Sequence, residues 1–259
     1  MSRYVCTLRA ILLAVTFLAL LPLSGSAQWA IRVDGPRPLQ TAAEQLQNYS
    51  GIAVNYEDPP YMKVGNLDQV ESKSGGKPII RDGMKPPRAS KLDYLIPEDA
   101  QAFRLEDVER IAHDLVKLHH EQGGAGWFRV FTADGQVYIA PAAIRDAEGK
   151  RVEVTPVMEA HLEGYEAPLR TETGGGAFVD LAQRISRRPR GHVSMGTIPI
   201  ADVAKSPEGQ RFSFPGGMAR EAFNGIVRAY KAPKMSYRLL YDTDFGYALH
   251  MSPVVRRNM

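Results

Sequence analysis

Residues 37–61 read RPLQTAAEQLQNYSGIAVNYEDPPY and contain a helix, its stop and a strand. Leu39, Ala42, Ala43, Leu46 and Tyr49 recur at the spacing that lines up apolar side chains on one face of an amphipathic helix. Pro38 suits a first helical turn, where no backbone N–H is needed, and Gly51 suits the left-handed residue that ends a helix. Ile52, Val54 and Tyr56 then alternate with Ala53 and Asn55, as in a half-buried strand, and Asp58-Pro59-Pro60 stops it. With Ala30 to Val33 in front, the unit reads strand, helix, strand.

Towards the N-terminus, Arg3 and Arg9 form a positive region before the apolar stretch Ala10 to Leu23, and Gly25-Ser26-Ala27 supplies small residues. This pattern predicts a secretory signal peptide over residues 1–27, cleaved between Ala27 and Gln28. The alternative, a retained anchor, is disfavoured because Ala10 to Leu23 falls short of the roughly 20 residues that span a bilayer. Cys6, the only cysteine, lies inside this segment, so the mature chain would hold no disulfide, thiol nucleophile or cysteine-ligated metal. Loss of Arg3 and Arg9 also brings the 32 basic residues almost level with the 29 acidic ones, which gives no electrostatic case for nucleic acid.

Towards the C-terminus, residues 62–98 are rich in Gly, Pro and charge. They are expected to be a loop excursion, with at most one hairpin, outside any core. Leu105, Val108, Ile111, Ala112, Leu115 and Leu118 form a second helical stripe that ends at Gly123-Gly124. Trp127 to Phe131 and Gln136 to Ala140 make a hairpin around Asp134-Gly135. The order then repeats. Leu162 to Leu169 is extended, Phe178 to Ile185 is a helix, and His192 to Met195 and Arg211 to Phe214 are short strands. A fourth helix over Met218 to Tyr230 precedes a closing hairpin. Phe128-Arg129-Val130 matches Tyr237-Arg238-Leu239 at an offset of 109 residues, and Tyr138 matches Tyr247 at the same offset. The expected fold is α+β with two similar lobes, 28–150 and 151–259, from an internal duplication. Each lobe would be a small mixed sheet covered by two helices. Phe128 and Tyr237 would then be buried, with Arg129 and Arg238 on a wet opposite face.

The segment RPLQTAAEQLQNYSGIAVNY resembles the short N-terminal domain of secretins and TonB-dependent outer-membrane receptors. Pro38-Leu39, Ala43, Leu46, Gly51, Ile52, Val54 and Tyr56 carry the likeness. It returns more weakly at Ala177 to Val193 and Met218 to Leu239. The resemblance implies a periplasmic or outer-membrane setting and docking onto envelope proteins, with no catalytic residues of the unit's own. No secretin pore, plug or barrel follows in this sequence.

Chemistry-bearing motifs are sparse. His113, His119 and His120 share a helix, but no acidic residue at the right spacing completes a metal site, so a solvated polar face is expected. His161, His192 and His250 are isolated. There is no G-x-S-x-G elbow, and the glycine runs lack the pattern of a phosphate cradle, which favours helix entry and exit. Asp242 and Asp244 flank a turn that their own side chains favour. Arg187, Arg188 and Arg190 form the one dense basic cluster, a candidate contact for anions or an acidic partner. No catalytic residue, metal ligand or cofactor is assigned. The function expected is protein–protein docking in the envelope. A small-ligand or glycan-binding protein, or a hydrolase built on paired carboxylates, stands as the alternative.

Overall fold

The computed structural model describes residues 29–60, 71–74, 77–80, 90–146, 148–169, 176–188, 192–198, 209–231, 234–242 and 245–256. Residues 1–27, where a signal peptide is expected from the sequence, lie outside them. Strand β1 (Ala30–Gly35) leads into helix α1 (Pro38–Ser50), and β2 (Val54–Glu57) follows. Pro38 occupies the first turn, and Gly51 takes φ 69 and returns its N–H to Gln47 O, which closes the helix. Leu39, Ala42, Ala43 and Leu46 are buried, as the spacing requires.

Beyond β2 lie the hairpin β3 (Glu71–Ser74) and β4 (Lys77–Ile80), then β5 (Ser90–Leu95), α2 (Leu105–Glu121), β6 (Trp127–Ala133), β7 (Gln136–Arg145) and β8 (Arg151–Glu153). A short 3-10 turn, Val157–Glu159, precedes β9 (His161–Pro168), α3 (Gly176–Ser186), β10 (Val193–Met195), β11 (Arg211–Met218), α4 (Ala219–Ala229), β12 (Met235–Asp242) and β13 (Gly246–Pro253). The fold is α+β with mixed sheets and, among the described residues, four helices.

The main sheet has the order β10-β13-β12-β2-β7-β6, with β8 attached to β7. Residues 54–145 supply β2-β7-β6 and residues 193–253 supply β10-β13-β12. In each trio the first pairing is parallel and the second antiparallel. The trios meet where β12 runs parallel to β2, with Arg238 beside Tyr56 and Leu239 beside Glu57. Neighbours in such a ladder share a face and successive residues alternate. Tyr56 packs with α1 and α2, whereas Leu239 packs with α3 and α4. The two helix pairs therefore cover opposite faces of one sheet.

Four expectations need correction. The two small sheets are one, because β12 and β2 each offer an edge and join there. Part of the 62–98 excursion belongs to the core. β5 pairs with β1 from Ala30↔Leu95 to Gly35↔Ser90, and Leu92 and Ile96 are buried beneath α1 and α2. Lys91 and Asp93 on its outer side dilute the apolar signal in the sequence.

Tyr138 and Tyr247 are not in matching register. Opposite Val130 stands Ile139 and opposite Leu239 stands Leu249, but the β12–β13 turn is one residue longer, so Tyr138 corresponds to Ala248. Arg238, finally, is not wet. It is buried while Arg129 is half-exposed, because β12 is an inner strand and β6 an edge.

Candidate functional site

The densest polar cluster lies on the seam between the trios, and the quoted stretch supplies most of it. Only two residue pairs register across β12 and β2, so side chains take over where the main-chain ladder stops. Tyr237 donates its N–H to Asn55 Oδ1 at 2.9 Å, Asp58 N–H reaches Leu239 O at 2.8 Å, and Tyr241 N–H reaches Asp58 Oδ2 at 3.0 Å. The Asp58 carboxylate also accepts from Tyr56 Oη and from Arg37 Nε, both at 2.7 Å. Arg37 Nη2 continues to Tyr241 O at 2.7 Å. Arg37 stands at the N-cap of α1 with no capping bond from its side chain, which is committed to the seam instead. Buried charges persist only when paired and hydrogen-bonded, and Asp58 meets that condition.

Glu57 points to the opposite face and is buried. Its carboxyl accepts N–H groups from Val157 and from Met158, the latter at 3.2 Å, and so caps the 3-10 turn from a distant strand. Burial raises its pKa to about 8, against the lowering effect of those two N–H groups. Asn224 of α4 donates to Asp134 Oδ2 and to Tyr138 Oη, and accepts from Gln136, whose Oε1 in turn accepts from Asn55. Glu159 accepts from Arg129 at 2.5 Å and from Arg220 at 3.2 Å, and both guanidinium groups flank the Phe131 ring. These carboxylates and amides hold elements together.

Two of the three helix histidines, His119 and His120, depart from a solvated face. His119 is buried against Phe128 and Gly124, with Nε2 3.0 Å from Ala125 O, and burial pulls its pKa down to about 4. His120 accepts the Phe128 N–H at Nε2, 3.2 Å away, and its pKa is lowered by burial and then by Arg151. His113 is exposed. His250 Nδ1 accepts the Thr197 N–H at 3.2 Å, a satisfied position. Among the described residues no group of three His, Cys, Asp or Glu side chains is placed to hold a metal.

Arg187 and Arg188 extend past the end of α3 and, with Arg184, Leu162 and Glu163, line a shallow cavity of about 270 Å³. Arg184 is paired with Asp180 at 2.5 Å and lies over the Tyr165 ring at 4.0 Å. Arg190 lies outside the described residues, as do Ala27, Gln28 and Asp244. Asp242 accepts the Phe245 N–H at 3.1 Å, the turn role expected of it.

Asn55, Glu57, Asp58 and Asn224 did not stand out in the sequence. Alternation with Ile52, Val54 and Tyr56 would leave Asn55 and Glu57 on the strand's other face, and the arrival of β12 and the 157–159 turn gives them partners there. The one signal was a Glu-Asp pair ending a strand before two prolines. No helix among the described residues is long and apolar enough to cross a membrane. No known protein family, curated protein or solved structure matches the chain.

Proposed function

We propose that this chain is an exported docking protein of the cell envelope. In this reading it is a tandem duplication of an α+β unit akin to the short N-terminal domain of secretins and TonB-dependent receptors, and it engages protein partners through sheet edges. The observation that carries the reading is the seam. Two like-ordered strand trios are joined edge to edge by β12 and β2, with Asn55 and Asp58 filling the main-chain positions. Strand addition of this kind is a recognised mode of protein recognition. The outer strands β6 and β10 have no further partner strand among the described residues. Glu57 and Asp58, the carboxylates a hydrolase reading would use, are engaged in structural bonds.

The test is site-specific photocrosslinking in the native envelope. A benzoyl-phenylalanine at Arg129, on the β6 edge, is expected to trap a protein, and the same group at the exposed Lys117 of α2 is expected to trap none. Equal yields at both positions, or none at either, would overturn the reading. A small-ligand role has one observation in its favour. A cavity of about 570 Å³ is lined by His192, Ser194, Phe245 and Gly246, with Phe245 68 % exposed, as an aromatic platform for a sugar would be. Glycan binding lost in Phe245→Ala would mark that alternative.

A further inference from the structure

The seam also serves as a template for what the free edge accepts. Hairpin register places Phe128, Val130 and Thr132 of β6 where β12 has Tyr237, Leu239 and Tyr241. On β12 these three are the residues addressed by β2, through Asn55 Oδ1, the Asp58 N–H and Asp58 Oδ2. On β6 the first of them faces Pro141, which has no N–H, and gives its own N–H to His120 Nε2 at 3.2 Å. A side chain thus occupies the place that Asn55 fills in the seam. Val130 and Thr132 meet no partner strand among the described residues. Two cations also border the strand at its start: Arg145 and Arg151 lie 5.0 and 5.1 Å from the Trp127 ring, whereas Arg129 is paired with Glu159.

We infer that the β6 edge takes an extended acidic segment of a partner protein, parallel to β6, carrying an asparagine and an aspartate at the spacing of Asn55 and Asp58. This rests on the docking reading above and names the partner's chemistry. A second copy of this chain fits poorly. Its free strand β10 sets Ser194 and Thr197 at the positions of Asn55 and Asp58, with no carboxylate, and the Thr197 N–H is already bonded to His250. The cationic border favours an acidic segment, since unlike charges steer association and fix register.

The experiment titrates the ¹⁵N-labelled intact protein with a synthetic peptide of residues 52–60, IAVNYEDPP, followed by backbone amide shifts. The Val130 and Thr132 amides are expected to move. A peptide with both the asparagine and the aspartate replaced by alanine is expected to bind at least roughly tenfold more weakly, the scale of a lost charge-assisted hydrogen bond. Thr132→Pro removes an outward N–H at an edge where proline is tolerated, and should abolish binding at an unchanged melting temperature. Should that variant not fold, the alanine peptide on the unaltered protein still decides. Shifts confined to β10, equal binding of both peptides, or no shift at millimolar peptide would each overturn the inference, as would concentration-dependent dimerisation through β6. A partner trapped at Arg129 in the envelope, with the Val130 and Thr132 amides unmoved by the peptide, would leave the docking reading standing while this inference fails.

Discussion

Arg129 and Arg238 hold the same place in two like-ordered strand trios and live in opposite surroundings. Arg129 lies on the edge strand β6, half-exposed and paired with Glu159. Arg238 lies in mid-sheet, where Nη1 donates to Val54 O and Ser236 Oγ, both at 3.0 Å, while Nε and Nη2 find no partner. Burial draws its pKa down to about 10. The difference arises from what lies beside each strand, since β12 has gained β2 as a neighbour and β6 has gained none among the described residues. An equivalent sequence position can lie on an open edge in one half and in a closed joint in the other.

The largest effects should come from the residues that the comparison makes equivalent. Phe128→Ala and Tyr237→Ala are each expected to lose about 3–5 kcal/mol, the range for a buried aromatic. Both are buried. Urea melts that showed a loss at only one of them would break the equivalence. Asp58→Ala comes next, at about 3–5 kcal/mol, because it removes the carboxylate that pairs with Arg37 and accepts from Tyr56 and Tyr241, and so opens the seam. The same change at Asp93, in an exposed pair with Arg32, should cost less than about 1 kcal/mol.

Two pH effects of opposite sign follow. His119 is held near pKa 4 in the fold and near 6.5 in the unfolded chain. Its contribution is therefore intact above pH 6.5 and is lost as pH falls towards 4, by about 3 kcal/mol. Glu57 is raised to about 8, so its contribution is complete below pH 4.5 and is lost as pH rises towards 8. Glu57→Gln, which keeps the shape and an acceptor for one N–H, should flatten the alkaline side of the stability profile. His119→Leu should flatten the acid side. A variant that left its own side unchanged would refute the cause assigned to it.

The arginines should give the smallest change. Arg129→Ala is expected to cost less than about 1 kcal/mol. Arg238→Met, which fills the same volume without stranding donors, should be neutral or stabilising. A severe loss at Arg238→Met would show that the three bonds its Nη1 donates, to Val54 O, Ser236 Oγ and Tyr237 O, outweigh the two orphaned groups.

The four helices could be read from the sequence because each buries a single stripe, and a period near 3.6 survives whatever packs against it. Leu39 to Leu46 and Leu105 to Leu115 are clear examples. The β6–β7 turn was equally plain, since Asp134 and Gly135 both take positive φ there. β5 is masked in the sequence because its one fully buried residue, Leu92, sits between Lys91 and Asp93, with only the partly buried Tyr94 beside it on the inward face. The seam escaped for a deeper reason. Asn55 and Glu57 look like the wet side of a strand, and their burial depends on residues 100 and 182 positions away. The one-residue difference between the two hairpin turns likewise flips the face of every residue beyond it, which no match of Tyr138 to Tyr247 could reveal.

The most direct measurement is hydrogen exchange at the paired amides of Tyr241 and Thr132 in the intact protein. The Tyr241 N–H, bonded to Asp58 in the seam, should exchange only on unfolding, and the Thr132 N–H at the open edge should exchange quickly until a partner segment is added. Strong protection of Thr132 in the free protein, or rapid exchange of Tyr241, would contradict the picture of one joint closed and its equivalent left open.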